Sequence, residues 1–308
     1  MRAVPRSVVG RTCLALPENP HLEPPPLNSE LQTPLPLMVE PFPPLALVPA
    51  RPAPKAGEDP VWSGWDVLLI AVLTVLLAFF LVPLVIFSGA QHFFYPHESW
   101  MEVAQKPALL LLSQFLGYIP VALYMVVLIQ GKYHGRFLQA MRWNWPGMLG
   151  VSMLGLGVLM LSFNLLDRFL PMPKDTPFEQ FFDRPLDAYL LAVFAVTLGP
   201  LMEELFFRGF LYPVIARRMG AVWGILLTAL PFGLIHFFQY GRSWGAVLII
   251  FLVGIVLTTV RAITKSVASS FLAHVGYNGT LMVLAALQTD GFRHMEKAGV
   301  LLGWLGPR

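Results

Sequence analysis

The sequence predicts an all-α fold: a polytopic transmembrane helical bundle of about seven spans behind a Pro-rich N-terminal tail. Three observations carry that prediction. The chain has 308 residues, of which 56% are hydrophobic and only 13% charged, whereas soluble globular domains carry roughly 25% charged residues. So few charges cannot coat a water-soluble particle of this size, which excludes an ordinary cytosolic enzyme. From Trp65 onward, long apolar runs alternate with short charged loops. In lipid the backbone must satisfy its own hydrogen bonds, and runs of this length do so as helices.

Residues 1–60 stand apart. They hold 15 of the 28 prolines, including Pro24, Pro25 and Pro26, and show no helical period. That composition favours extended, solvated backbone, so the segment reads as a disordered tail. A spanning helix needs roughly 20 mostly apolar residues. The first such run is 65–87, with Asp66 at its edge; the second, 107–130, and third, 143–166, carry no charge. The fourth starts near Ala188 and runs through Met202 before meeting Glu203 and Glu204. The fifth covers about 220–240 with His236 inside it, the sixth is 243–260, and the seventh, 266–289, contains only His274.

Lys and Arg in the short loops set the orientation. The 131–142 loop carries Lys132, Arg136 and Arg142 without an acid; Arg217 and Arg218 follow span four, and Arg261 and Lys265 precede span seven. The alternate loops are poorer in cations. This bias places the N-terminal tail and the basic loops in the cytoplasm. Tryptophans at 62, 65, 100, 143, 145 and 244 lie near span ends, as interfacial anchors do. A formal charge of +3 gives no nucleic-acid footprint, and the single Cys13 excludes an intramolecular disulfide framework.

Ionisable side chains inside spans are costly and usually functional, and here they fall in three places. Glu203-Glu204 precede Arg208; Glu204 and Arg208 are four apart and placed to pair on one helix face, while Glu203 lies about 100° around the helix and can face elsewhere. Pro200 loosens the backbone just before them. His236 closes Phe232-Gly-Leu-Ile-His236, and His274 and Asn278 share a face at i,i+4. Singly, each has a structural reading: an Arg–Glu staple, a satisfied core histidine, interhelical hydrogen-bond glue. Together they can activate water. In a metal-free version a glutamate and a histidine are the base, with the other histidine and the Asn278 amide holding an oxyanion. In a metal version Glu203, His236 and His274 bind zinc and leave a position open for water.

Glu-Glu-x-x-x-Arg (203–208), Phe-x-x-x-His (232–236) and His-x-x-x-Asn (274–278) resemble, in order, the three motifs of the CPBP family. That group includes the type II CAAX prenyl endopeptidases and bacterial Abi-type membrane proteins. The resemblance implies an intramembrane glutamic endopeptidase, with no cofactor expected and zinc as the alternative. By motif, Glu203 and His236 would activate water, His274 and Asn278 would form the oxyanion site, and Glu204 with Arg208 would be the supporting ion pair. It implies membrane lipid and a peptide or protein substrate as partners, lipidated in the eukaryotic branch, no nucleic acid, and a bacterial inner membrane as location. The expected organisation is a tail at 1–60, N-terminal transmembrane helices at 61–185, a catalytic membrane domain at 186–288 and a C-terminal tail at 289–308. A non-catalytic immunity or scaffold protein is the competing reading.

Overall fold

The computed structural model describes residues 60–172, 177 and 179–294. The expected N-terminal tail, apart from Pro60, and positions 295–308 of the expected C-terminal tail lie outside the described residues. Six helices among the described residues are long and apolar enough to cross a membrane: α1 (Gly64–Phe94), α2 (Pro107–Lys132), α3 (Leu149–Arg168), α4 (Pro185–Met219), α6 (Trp244–Thr264) and α7 (Val267–Gln288). No strand occurs among these residues. The chain is an integral membrane protein. Large apolar side chains stay exposed along the outer helix faces, for example Phe79, Val85 and Val193, as lipid-facing positions require.

The fifth run corrects the sequence reading. Its helix α5 is Ala221–Leu234, about 21 Å long and short of the roughly 30 Å hydrocarbon core. It stops because His236 competes for its backbone. The His236 ring Nδ1 lies 2.7 Å from the Phe232 carbonyl, and the His236 amide donates instead to Gly233 O. That tightening is a common way for orphan carbonyls at a helix end to be satisfied. His236 is therefore on the turn beyond α5, not inside a span.

The helix ends meet in pairs. Asp66 near the start of α1 is buried and accepts from Lys132 Nζ at 2.5 Å and Tyr133 OH at 2.6 Å at the end of α2. Arg217 near the end of α4 donates to the carbonyls of Pro60 and Trp62. Trp62 is not an interfacial anchor: it is 1% exposed and its Nε1 donates to Phe210 O in α4. Trp65, Trp145 and Trp244 do remain exposed.

The position of α7 is set by α3. A Cβ on Gly157 would lie 2.2 Å from Ala273 O, and one on Gly276 would lie 2.4 Å from Leu154 O. Backbone meets backbone there, the close approach that small residues permit between membrane helices. His274 sits between these contacts on α7, so the glycines fix its depth. Gly157→Ala or Gly276→Ala must push the two helices apart, at a cost of about 1–3 kcal/mol or more. The thermal unfolding midpoint in detergent should fall for both. It should hold for Gly155→Ala on the same helix, where a Cβ meets nothing within 4 Å.

Candidate active site

The helix α4 carries its carboxylates on irregular backbone. Pro200 lacks an amide hydrogen and its ring crowds the carbonyl four residues back. The α-helix accordingly ends at Val196, with Thr197 at φ −116°, ψ −78°, before Leu198–Glu203 resumes it. From Glu204 to Leu211 the winding is π-helical. The fourth span thus does not end at Met202 but continues to Met219. It can do so because its buried charges cancel one another. Glu204 and Arg208 both have no exposed surface and pair at 2.8 Å.

The rest of the Arg208 fork is also used. Nε donates to Thr258 Oγ1 at 3.3 Å and Nη2 to Gly254 O at 3.2 Å, both on α6, and the guanidinium lies 4.2 Å from the Phe232 ring centroid. Glu204 in turn gathers two groups of α7. Ser270 Oγ lies 2.5 Å from its Oε2, and His274 Nδ1 lies 2.9 Å from its Oε1. A carboxylate held by an arginine is an acceptor, so His274 Nδ1 carries the hydrogen and Nε2 faces away from Glu204. His236 is fixed by the same logic, because Phe232 O can only accept. Its Nε2 is the free nitrogen.

Both free nitrogens face Glu203. Its Oε1 lies 3.9 Å from His236 Nε2 and its Oε2 lies 3.7 Å from His274 Nε2. These separations exceed a direct hydrogen bond and match a gap that one water can bridge. Glu203 retains 21% of its side-chain exposure, against none for Glu204. The two adjacent carboxylates therefore have separate environments, one locked and one open. Asn278 lies on the same face of α7, but its Nδ2 donates to Ala195 O at 2.7 Å, in the last turn before the break in α4. Among the described residues, no group of three or more His, Cys, Asp or Glu side chains is spaced to hold a metal ion.

Glu203, His236, His274 and Asn278 line one cavity of about 770 Å³. Its lining is largely apolar and includes Phe79, Pro83 and Phe87 of α1 and Leu110 of α2, with Ser113, Gln114 and Tyr118 of α2 beside them. Phe79 and Phe238, both in the lining, are 60% and 68% exposed, so the cavity reaches the outer surface of the bundle. Sequence reasoning missed Ser270 and Thr258, which fix the ion pair. Ser270 lies one turn before His274, so the i,i+4 face that links His274 to Asn278 extends to it as well. Thr258 gave no such signal, being one hydroxyl in an apolar run. Tyr118 was also missed; it lines the same cavity as Glu203.

Residues 185–280 match the family model described as Type II CAAX prenyl endopeptidase Rce1-like. Over this segment the chain is similar to the CAAX protease family. No curated protein and no solved structure matches the chain. The Rce1-like segment contains every polar side chain placed around Glu203 above, and it ends two residues past Asn278. The α1 and α2 walls of the cavity lie outside it. The match supports a membrane endopeptidase.

The geometry separates the roles of the two carboxylates in a stability measurement. Arg208→Ala leaves Glu204 buried without its counter-ion, and breaking such a pair costs about 3–5 kcal/mol. The unfolding midpoint should fall steeply. Ser270→Ala removes one of several bonds to Glu204 and should cost only about 1–3 kcal/mol.

Proposed function

We propose that the chain is an intramembrane endopeptidase in which Glu203 and His236 activate a water for attack on a peptide carbonyl. The observation that carries this reading is the seating of the Glu203 carboxylate between two imidazole Nε2 atoms at 3.7 and 3.9 Å, in a largely apolar cavity. A water in that gap donates one hydrogen to Glu203 and one to an Nε2. Its oxygen lone pairs are then left to face the substrate. Glu203 takes the water proton as the oxygen–carbon bond forms. The carbon–nitrogen bond breaks as that proton passes to the leaving amine.

The carbonyl oxygen becomes an oxyanion in the intermediate. Asn278 has two amide hydrogens, of which Ala195 O takes one; the other is the donor available to the oxyanion. His274 is the second candidate donor. A proton taken up at Nε2 during turnover turns that nitrogen into a donor while Nδ1–H stays on Glu204. Glu204 and Arg208 touch neither water nor substrate in this scheme. They are positioning residues. The largely apolar lining suits a substrate with a large apolar part, and its exposed rim suits delivery from the lipid phase.

Glu203→Gln keeps the shape and removes the base. Cleavage of a reporter peptide by the purified variant should fall by roughly 10²–10⁴-fold, with the unfolding midpoint retained. Wild-type cleavage by this variant would defeat the mechanism and favour the non-catalytic scaffold reading. Metal analysis of active, purified protein should find no stoichiometric zinc, and activity should survive dialysis against a chelator. One zinc per chain, lost together with activity, would replace the metal-free scheme.

A further inference from the structure

The proposed chemistry uses Glu203, His236, His274 and Asn278, but a peptide entering their largely apolar cavity brings backbone polar groups of its own. Away from water each of those groups is costly unless it finds a partner. Two other polar side chains of the lining are committed to the protein: Ser113 donates to Leu110 O at 2.9 Å and Tyr277 to Asn164 Oδ1 at 2.9 Å. Gln114 of α2 differs. It lines the cavity, and its Nε2 is buried and reaches no hydrogen-bond partner among the described residues. The Tyr118 hydroxyl, one turn on, is a polar neighbour. Even a bond between them would leave one of the two amide hydrogens open. A buried donor without a partner lowers stability, so its presence in a folded chain calls for a reason.

The backbone around Gln114 is held closely. Gly117, between Gln114 and Tyr118, packs on α1: a Cβ there would lie 2.7 Å from Ala78 Cα. That is the close approach small residues permit between membrane helices. Residues four apart share a helix face, and Gln114 and Tyr118 both line the cavity. The Tyr118 ring stacks on Phe194 of α4, with centroids 6.0 Å apart and planes within 17° of parallel. Phe194 precedes Ala195, whose carbonyl accepts from Asn278 Nδ2 at 2.7 Å. Contacts between packed helices thus link the Gln114 carboxamide, through Tyr118 and Phe194, to the amide assigned to the oxyanion.

We propose that Gln114 is a substrate-binding residue: its carboxamide hydrogen-bonds a backbone peptide group beside the scissile bond and so turns the scissile carbonyl towards Glu203 and Asn278. The inference rests on the peptidase reading for the nature of what is bound. A carboxamide repeats the N–H and C=O of a peptide unit, so it can donate to a substrate carbonyl and accept from a substrate N–H. It reads backbone and not side chains, which leaves selectivity to the apolar lining. Binding also satisfies a donor that the empty cavity leaves without a partner, so the free protein carries the cost of that donor and the complex does not.

The test uses the full chain in detergent and Gln114→Met, which keeps the side-chain length and removes the amide. Binding is read by fluorescence anisotropy of a dye-labelled reporter peptide on a Glu203→Gln background. The dissociation constant should rise roughly 3–10-fold, as for one net hydrogen bond, while the unfolding midpoint without peptide holds or rises. A lower midpoint means that the amide serves the fold, and it overturns the proposal; so does an unchanged dissociation constant. Replacing the peptide groups that flank the scissile bond, one at a time, by (E)-alkenes then finds the partner. One alkene should weaken binding by the same factor when position 114 is Gln and not at all in Gln114→Met; equal weakening in both overturns the proposal. If Gln114→Met does not fold, the alkene series decides, and binding indifferent to every flanking alkene overturns it. Wild-type cleavage by Glu203→Gln would instead defeat the peptidase chemistry, a failure separate from the coupling between Gln114 and the peptide group.

Discussion

A guanidinium and a carboxylate, both without any exposed surface, lie one helical turn apart in the middle of a membrane bundle. Neither Glu204 nor Arg208 could stay charged there alone, because an isolated ion in a low-dielectric interior costs several kcal/mol even after relaxation. Their pairing makes the site possible, and satisfying their remaining hydrogen-bonding capacity recruits the neighbours. Arg208 takes Thr258 Oγ1 and Gly254 O from α6 and lies against Phe232 of α5. Glu204 takes Ser270 and His274 from α7. One ion pair thus fixes how four helices stand relative to one another, and it orients the imidazole that faces Glu203.

The polar site is also built on interruptions of helical geometry. Each one is accompanied by a backbone carbonyl that a side chain occupies. Near the Thr197 break, Asn278 donates to Ala195 O. Along the π-helical stretch, Arg261 donates to Arg208 O and Trp62 to Phe210 O. At the end of α5, His236 engages Phe232 O. In lipid a carbonyl left without a partner is expensive, so irregular backbone survives only where such donors are at hand. The same donors hold the functional side chains in place. This explains how Glu203 can be presented to a cavity from the middle of a spanning helix.

The chemistry lies in one segment, while the cavity's lining draws on both halves of the described chain. The Rce1-like segment, 185–280, supplies the carboxylates, imidazoles and amide. α1 and α2 add Phe79, Pro83, Phe87 and Leu110 to the lining. Asp66 with Lys132 joins α1 to α2, and Trp62, just before α1, donates to Phe210 O in α4.

Composition and apolar run length were enough to read a helical membrane bundle from the chain, because the bilayer allows few other solutions. Rare ionisable residues in those runs were enough to find Glu203, Glu204, Arg208, His236 and His274, since each is costly where it stands. The i,i+4 spacing also gave the Glu204–Arg208 pair. What the one-dimensional pattern did not hold was the end of α5 at Leu234, the burial of Trp62 and the extension of α4 to Met219. Hydropathy records how apolar a residue is, but not which carbonyl its side chain will occupy. Nor did it hold the bond from Asn278 to Ala195, or the contact of His274 with Glu204 rather than with Glu203 alone. Those depend on how closely helices approach, and that distance is fixed by the Gly157 and Gly276 contacts between α3 and α7, where backbone packs on backbone across more than a hundred residues of sequence.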